Sequence, residues 1–549
     1  MFNISSARSI VDKAFLYLRT IRHLKMSQII MRLYYTLYQA KPKLVGAYEL
    51  RQRHASWQPS ICRPASLLSP DKFLLLNEEG SIAEHGWDGP EHSKLWRYNQ
   101  HYFDDLNAVG AENRRSWHDG LINDWILNNE PGVGSGWEPY PTSLRIVNWV
   151  KASLNGLELS AEAHASLFMQ SCWLYRRVEW HLLANHVLVN AKALVFAGCY
   201  FQGAEADRIL VKGLKILRKE LPRQILSDGG HFELSPMYHA LALEDVLDLI
   251  NLMRAYPTCH SKRALSSMEE IVLRMISWLE SMSHPDGGIA FFNDAAFGVA
   301  PTTEELVNYA RELGFSQAED SSPMIHNAAS GYVRLANASA VLIADIAQVG
   351  PAYQPGHAHA DTLSFELSVF SERLVVNSGT SEYGAGKERI RQRGTKAHST
   401  VSMLDKDSSE VWSGFRVARR ARAQLIGKSQ SIETLSISAS HDGYSRLRKG
   451  LLHTRTWSLA TSKVIISDEV GIEDGAMAAY HIHPHIEIKQ LTPSSGLFVL
   501  ANGTALEWFS SCEAELVQGT WHPEFNASVP NKCLVLPLLN GQCWLEIRW

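Results

Sequence analysis

The sequence predicts a chain in two parts of different class, a multi-helix domain followed by a β-sandwich. From about Asp71 to Pro323 the apolar residues recur at helical spacing; beyond about Ala328 they fall into short alternating or β-branched runs bounded by turns. Length agrees, because 549 residues exceed the roughly 250 to 300 that one core accommodates. Helices that precede strands, rather than alternate with them, make stacked domains instead of a βα repeat. The expected division is a helical arm over residues 1–60, a helical domain over 61–327 and a β-sandwich over 328–549.

The arm, Met1 to Leu50, is basic, and charges interrupt its apolar residues at Arg19 and Arg32. A cleavable signal peptide needs a continuous apolar stretch and a small-residue cleavage site, and neither is read here. The arm reads as amphipathic helix packed on the body, with a membrane-surface helix as the alternative. In the helical domain Ile271, Met275, Trp278, Leu279 and Met282 share one face, as do Ile209, Leu210, Leu214 and Leu217. Turns such as Ser227-Asp228-Gly229-Gly230 and His284-Pro285-Asp286-Gly287-Gly288 separate such segments. Tyr332 to Leu335, Val341 to Ile346, Phe365 to Phe370, Val464 to Ser467 and Cys543 to Trp549 read as strands.

Composition excludes several classes. With 45% hydrophobic and 20% charged residues the chain is neither disordered nor fibrous. The 53 basic against 57 acidic side chains, a formal charge of −4 with no long Lys/Arg run, do not suggest a nucleic-acid partner. No run of about 18 apolar residues is present, so no transmembrane helix is expected. The seven cysteines are scattered, odd in number and never in a CxxC pair, which argues against a disulfide scaffold or zinc ribbon.

Three stretches concentrate chemistry. His357-Ala358-His359-Ala360-Asp361 leads into a strand, and residues two apart on extended backbone point the same way. A metallo-hydrolase HxHxD site usually continues into another His, and Thr362 stands there; the plainer alternative is two histidines hydrogen-bonded in a loop. Asn185-His186 interrupts the otherwise apolar run Trp180 to Leu194, and a buried polar pair costs free energy unless hydrogen-bonded, although a helix-end capping pair would also explain it. In Asp228 to His239 a Gly-rich turn enters a helix near Pro236, capped by Ser235, which puts Tyr238 and His239 in its first turn, where the positive helix end favours a phenolate. A rim or core aromatic is the bland reading of Tyr238. His481-Ile482-His483-Pro484-His485 alternates with strand period and reads as a solvated or cleft-edge face rather than a metal site. No carboxylate pair is singled out for two-acid glycoside hydrolysis.

Together these stretches resemble the heparinase II/III family and its alginate-lyase relatives over roughly residues 90–480, with support from Trp96 to Phe103, Trp137-Glu138-Pro139-Tyr140-Pro141 and Arg393 to Val401. The resemblance implies an N-terminal (α/α) toroid of helical hairpins, a C-terminal antiparallel β-sandwich and a cleft between them. It implies a carbon–oxygen lyase that cleaves a uronic-acid-containing polysaccharide by β-elimination. Removing the C5 proton places charge on a carboxylate already anionic, which must be neutralised; by resemblance Asn185 does so, assisted by His186. Tyr238 and His357 match the acid–base pair, with the division between them left open because it depends on configuration at C5. His239, Asn99, Trp137 and Arg393 are expected to bind substrate. No cofactor is required, but relatives carry a structural metal, and its ligands would be His359, Asn377 and His398. Asn377 departs from the pattern, a neutral amide where a carboxylate is expected, which weakens a zinc site. Such relatives are usually periplasmic, and with no export signal read the compartment is left open. The competing functions are a non-catalytic glycan-binding or assembly protein of polysaccharide biosynthesis or export, and a metal hydrolase.

Overall fold

A computed structural model describes residues 4–38, 40–42 and 48–549. The arm is a helical hairpin, α1 (Ile4–Ile21) and α2 (Met26–Leu37), followed by the short strand Glu49–Leu50, which pairs with Phe201–Gln202. A three-stranded sheet, Leu67–Ser69, Lys72–Leu75 and Glu78–Ser81, leads into the helical half. Its principal helices are Arg115–Asn128, Pro139–Leu154, Ala161–Arg176, Ala184–Tyr200, Ala204–Gln224, Pro236–Ala255, Lys262–Ser281 and Thr303–Glu312. Helix Ala184–Tyr200 is buried almost all round, which explains why its apolar residues show no one-sided stripe. Around it Trp125, Trp137, Trp149 and Trp173 pack in edge-on and tilted pairs.

The helical half ends with the helix that closes at Glu312, and the first sandwich strand, Met324–Asn327, begins a few residues before the expected Ala328; one further helix, Lys387–Arg393, lies between sandwich strands. The sandwich is two antiparallel sheets. One runs in space Glu515–Trp521, Val529–Pro537, Ala476–Ile482, Glu372–Val375, Phe365–Val369, Ala340–Asp345, Tyr332–Ala336, Met324–Asn327, with Val401–Met403 added beside Ala476–Ile482. The other runs Ala423–Gln430, Thr434–His441, His453–Ala460, Lys463–Val470, Gln542–Arg548, Ala505–Ser510, Ser495–Val499, Glu487–Thr492. Strand His453–Ala460 alternates buried and half-buried residues, one face on the core and one toward water. Strands Ala340–Asp345 and Phe365–Val369 are buried on both faces. The reason is a third layer: Val341, Ile343 and Tyr332 pack outward on Leu234, Trp278, Met282 and Phe292 of the helical half. This apolar seam fixes the segment around Glu233 against the sandwich, and the site lies beside it.

Candidate active site

Asn185 and His186 lie in the first turn of helix Ala184–Tyr200, because the preceding Trp180 to Leu183 is not helical. The pair therefore opens a helix rather than interrupting one. Tyr238 is in the first turn of helix Pro236–Ala255, whose cap Ser235 accepts the Tyr238 N–H at 3.2 Å, as the Ser-Pro pattern predicts. His357 comes from the connection between strands Ala340–Asp345 and Phe365–Val369. These distant segments meet. The His357 ring lies against the Tyr238 ring, centroids 3.9 Å apart, and His357 Nε2 is 3.5 Å from Asn185 Nδ2. Side chains from the first turns of two helices thus meet at His357.

Asp294, which no sequence pattern marks, organises the group. Fully buried, its carboxylate accepts from His357 Nδ1 at 2.8 Å, His359 Nε2 at 2.8 Å and Arg389 Nη2 at 2.7 Å, with Arg389 Nη1 on its other oxygen. Burial opposes its ionisation, but the Arg389 guanidinium and the two imidazoles outweigh burial and hold the carboxyl well below the usual range. An ionised Asp294 fixes the proton of His357 on Nδ1 and leaves a lone pair on Nε2, the nitrogen that faces Asn185. The bond of both histidines to one carboxylate bears on the two-apart spacing: His357 and His359 do point the same way, toward an acid rather than toward a metal.

Glu233 is the second organiser. Its carboxylate accepts the Asn185 backbone N–H and the Asn185 amide, each at 3.0 Å, and lies 3.6 Å from His357 Nε2. His186 Nδ1 is 3.2 Å from the buried Glu179 carboxylate; burial lowers its pKa, but Glu179 more than compensates and the net shift is upward. The Tyr238 hydroxyl is 2.9 Å from that of Tyr383, and burial raises its pKa well above that of a free tyrosine, so the phenol is protonated at rest.

The backbone beside these groups is strained. Ala184, Leu234 and Asn293, the neighbours of Asn185, Glu233 and Asp294, have φ of 54°, 61° and 58°, and Leu183 has 65°. Left-handed conformations in such residues cost on the order of 1–3 kcal/mol each and persist where surrounding contacts impose them. Asn293 supplies those contacts, donating to Leu234 O at 2.8 Å and accepting the His359 N–H at 3.0 Å.

The four expected substrate-binding residues are placed elsewhere. His239 is fully buried, with Nδ1 accepting the His231 N–H and Nε2 donating to Met275 O, and it is held neutral, its pKa lowered to about 4 by burial. Trp137 is a core residue whose Nε1 donates to Asn129 O; from the same stretch Tyr140 is the residue that reaches the site, its ring centroid 4.8 Å from that of His186. Arg393 is buried and donates to the carbonyls of Ala358, Ser413 and Arg416, bracing the His357–His359 loop, while Arg389, one turn earlier, carries the charge to Asp294. Asn99 is half-buried, its amide spent on Leu95 O of its own helix. Burial decides His239, Trp137 and Arg393, and spacing alone does not disclose it.

The expected metal residues, His359, Asn377 and His398, lie near one another. His359 Nδ1 is 3.2 Å from His398 Nε2, while His359 Nε2 is committed to Asp294. The Asn377 side-chain oxygen accepts the Ser399 N–H at 3.1 Å. Among the described residues no three His, Cys, Asp or Glu are grouped to hold an ion. In this arrangement the donors do not fit a zinc sphere. His481 is buried with Nε2 on Lys396 O and His483 packs on Trp521, so this run is less solvated than its alternation suggests.

Family models describe the same two halves: residues 116–319 match the heparinase II/III N-terminus and residues 319–549 the heparinase II/III-like C-terminal domain. The chain belongs to the heparinase II/III family of polysaccharide lyases. Among curated members of wider kinship, FtsZ-localized protein C of Caulobacter vibrioides is 28% identical over 454 residues, 77% of this chain and 73% of that one. A heparin-sulfate lyase of Bacteroides stercoris is 25% identical over 334 residues, 55% of this chain and 46% of the lyase, so this heparinase II/III chain matches under half that enzyme's length. A solved heparinase III has a TM-score of 0.70 at 18% identity over 85% of this chain and 80% of its own. The heparan sulfate lyase HepC of Pedobacter heparinus gives 0.58 at 16% over 84% and 78%. These structural likenesses bear on the fold, a helical toroid with an antiparallel sandwich.

Proposed function

We propose that this chain is a lyase that cleaves a uronic-acid-containing polysaccharide by β-elimination. The observation that carries the reading is the Asp294–His357 pair set against the Tyr238 ring, with the Asn185 amide 3.5 Å from His357 Nε2. An acid–base pair beside an amide donor and a cationic-leaning imidazole is what elimination next to a carboxylate requires.

In the resting site His357 Nε2 is free to accept and the Tyr238 phenol is free to donate. His357 accordingly takes the C5 proton, the electrons of that C–H bond form C4=C5, the C4–O4 bond breaks, and Tyr238 protonates the departing O4. Asn185, fixed through Glu233, and His186, biased to its cation by Glu179, hold the uronate carboxylate on which negative charge builds. Tyr383 orients the Tyr238 hydroxyl. The conjugated C4=C5 product absorbs in the ultraviolet where the substrate does not, so a panel of uronate polymers followed by absorbance tests the reading. Turnover on a cleaved glycan should vanish in Tyr238→Phe and His357→Ala; rates equal to the parent in both would end the assignment.

A second reading, a non-catalytic glycan-binding or assembly protein, is favoured by the similarity over most of the chain to a protein named for localisation with FtsZ. Glycan binding with no unsaturated product across the panel selects it.

A further inference from the structure

The arm leaves its apolar stripes in solvent. On α2, Met26, Ile30, Leu33, Tyr34 and Leu37 follow helical spacing and are 68%, 56%, 60%, 45% and 87% exposed. On α1, Phe15, Leu18 and Ile21 continue the pattern, each about half exposed or more. The other faces of these helices hold the body. Tyr35 donates to Val178 O at 2.6 Å, Gln28 donates to Leu182 O at 3.3 Å and Tyr353 O at 3.4 Å, Arg19 pairs with Glu410 at 3.3 Å, and Trp412 Nε1 donates to Thr20 at 3.0 Å. The arm is therefore docked across both halves of the protein, and among the described residues its outward stripes pack only within the arm, Tyr34 on Tyr35 and Tyr38 and Phe15 under Arg19. Contiguous exposed apolar surface of this kind marks an interaction site.

Charge selects the occupant. From Lys13 through Tyr48 the chain has seven lysines and arginines and no aspartate or glutamate. Lys13 on α1, Arg22 in the turn that follows it and Arg32 on α2 are exposed. A second copy would set these cations against their own equivalents with no carboxylate between them. An anionic lipid surface meets both features, taking apolar side chains at the acyl boundary and cations at the headgroups. No helix among the described residues is long and apolar enough to cross a membrane, which fits a hairpin lying in the surface plane.

We propose that α1 and α2 form an interfacial arm that seats the protein on an anionic bilayer. Because Gln28 binds the carbonyls of Leu182 and Tyr353, just ahead of Asn185 and His357, the seat holds the cleft next to that surface. Full-length protein is sedimented with vesicles of phosphatidylcholine alone and of phosphatidylcholine with phosphatidylserine, in about 0.1 M salt, where charges are screened beyond roughly 10 Å. Sedimentation with the anionic vesicles is expected, weakened by salt. Ile30→Ser/Leu33→Ser/Leu37→Ser should lower the partition coefficient more than about a hundredfold, as three such side chains leave the acyl boundary. Arg22→Gln/Arg32→Gln should lower it about tenfold or more. All five positions are exposed, and an unchanged melting temperature verifies the fold of each variant. Parent protein left in the supernatant with anionic vesicles, or a serine variant that binds like the parent, overturns the proposal. So does a dimer in sedimentation velocity that the serine variant abolishes while vesicles are ignored, since the occupant is then a second copy.

Discussion

Asp294→Asn tests the core of the site with a change of one atom pair. The carboxylate is fully buried and accepts from His357, His359 and Arg389 at once. An amide cannot balance the Arg389 charge, and breaking a buried ion pair from one side costs about 3–5 kcal/mol. It also ceases to require the His357 proton on Nδ1, so part of the population presents Nε2–H, which cannot accept a proton; the loss expected in kcat is about a thousand- to ten-thousand-fold. The depressed pKa adds a pH signature. A carboxyl whose folded pKa lies below 3.8 contributes its stability in full above that value and loses it as pH falls toward the folded pKa, so the gap between parent and variant should be constant near neutrality and close in acid. Thermal unfolding against pH and initial rates from ultraviolet absorbance measure both parts. A variant that melts with the parent and turns over within tenfold of it would refute the role given to Asp294.

Other predictions concern neighbouring groups. Since Glu179 raises the His186 pKa above 6.5, the imidazolium contribution to carboxylate binding is complete below 6.5 and lost as pH rises through the folded pKa; KM should climb with pH on that limb and His186→Gln should flatten it. Tyr383→Phe, which removes the 2.9 Å contact to the Tyr238 hydroxyl, should lower kcat about tenfold and leave KM and melting temperature close to those of the parent. Trp137→Ala should destabilise by about 3–5 kcal/mol, and what folds should keep the parental KM because Trp137 lies in the core rather than in the cleft. Chelator treatment should change neither rate nor melting temperature, given that Asn377 spends its oxygen on Ser399.

The domain order was legible because the apolar period changes from helical to alternating, and burial on both faces of the central strands follows once the helical layer is known. Of the site, the stretches that hold Asn185, Tyr238 and His357 stand out for different reasons: a polar pair in an apolar run, a Ser-Pro helix start and a dense cluster of His and Asp. Asp294 and Arg389 do not, since they are 63 and, relative to one another, 95 positions from the groups they bind. Asp294 follows Phe292-Asn293 and resembles any turn. Glu233 belongs to the Asp228 to His239 stretch, but its grip on Asn185 spans 48 positions. Residue type also misled where depth decides: Trp137, His239 and Arg393 suit a sugar-binding cleft by chemistry, yet each faces inward, and Tyr140 and Arg389 stand nearby in their place. The left-handed backbone at Ala184 and Leu234 carries no residue signal, because neither is glycine or asparagine.

The central claim, elimination at a site built on Asp294, His357 and Tyr238, is tested most directly by the mass and ultraviolet spectrum of oligosaccharides released from a uronate polymer. The account predicts non-reducing ends that absorb and are lighter by one water than hydrolysis products, formed by the parent and not by His357→Ala. Products that carry that water and do not absorb, or unsaturated products formed equally by His357→Ala, would contradict it.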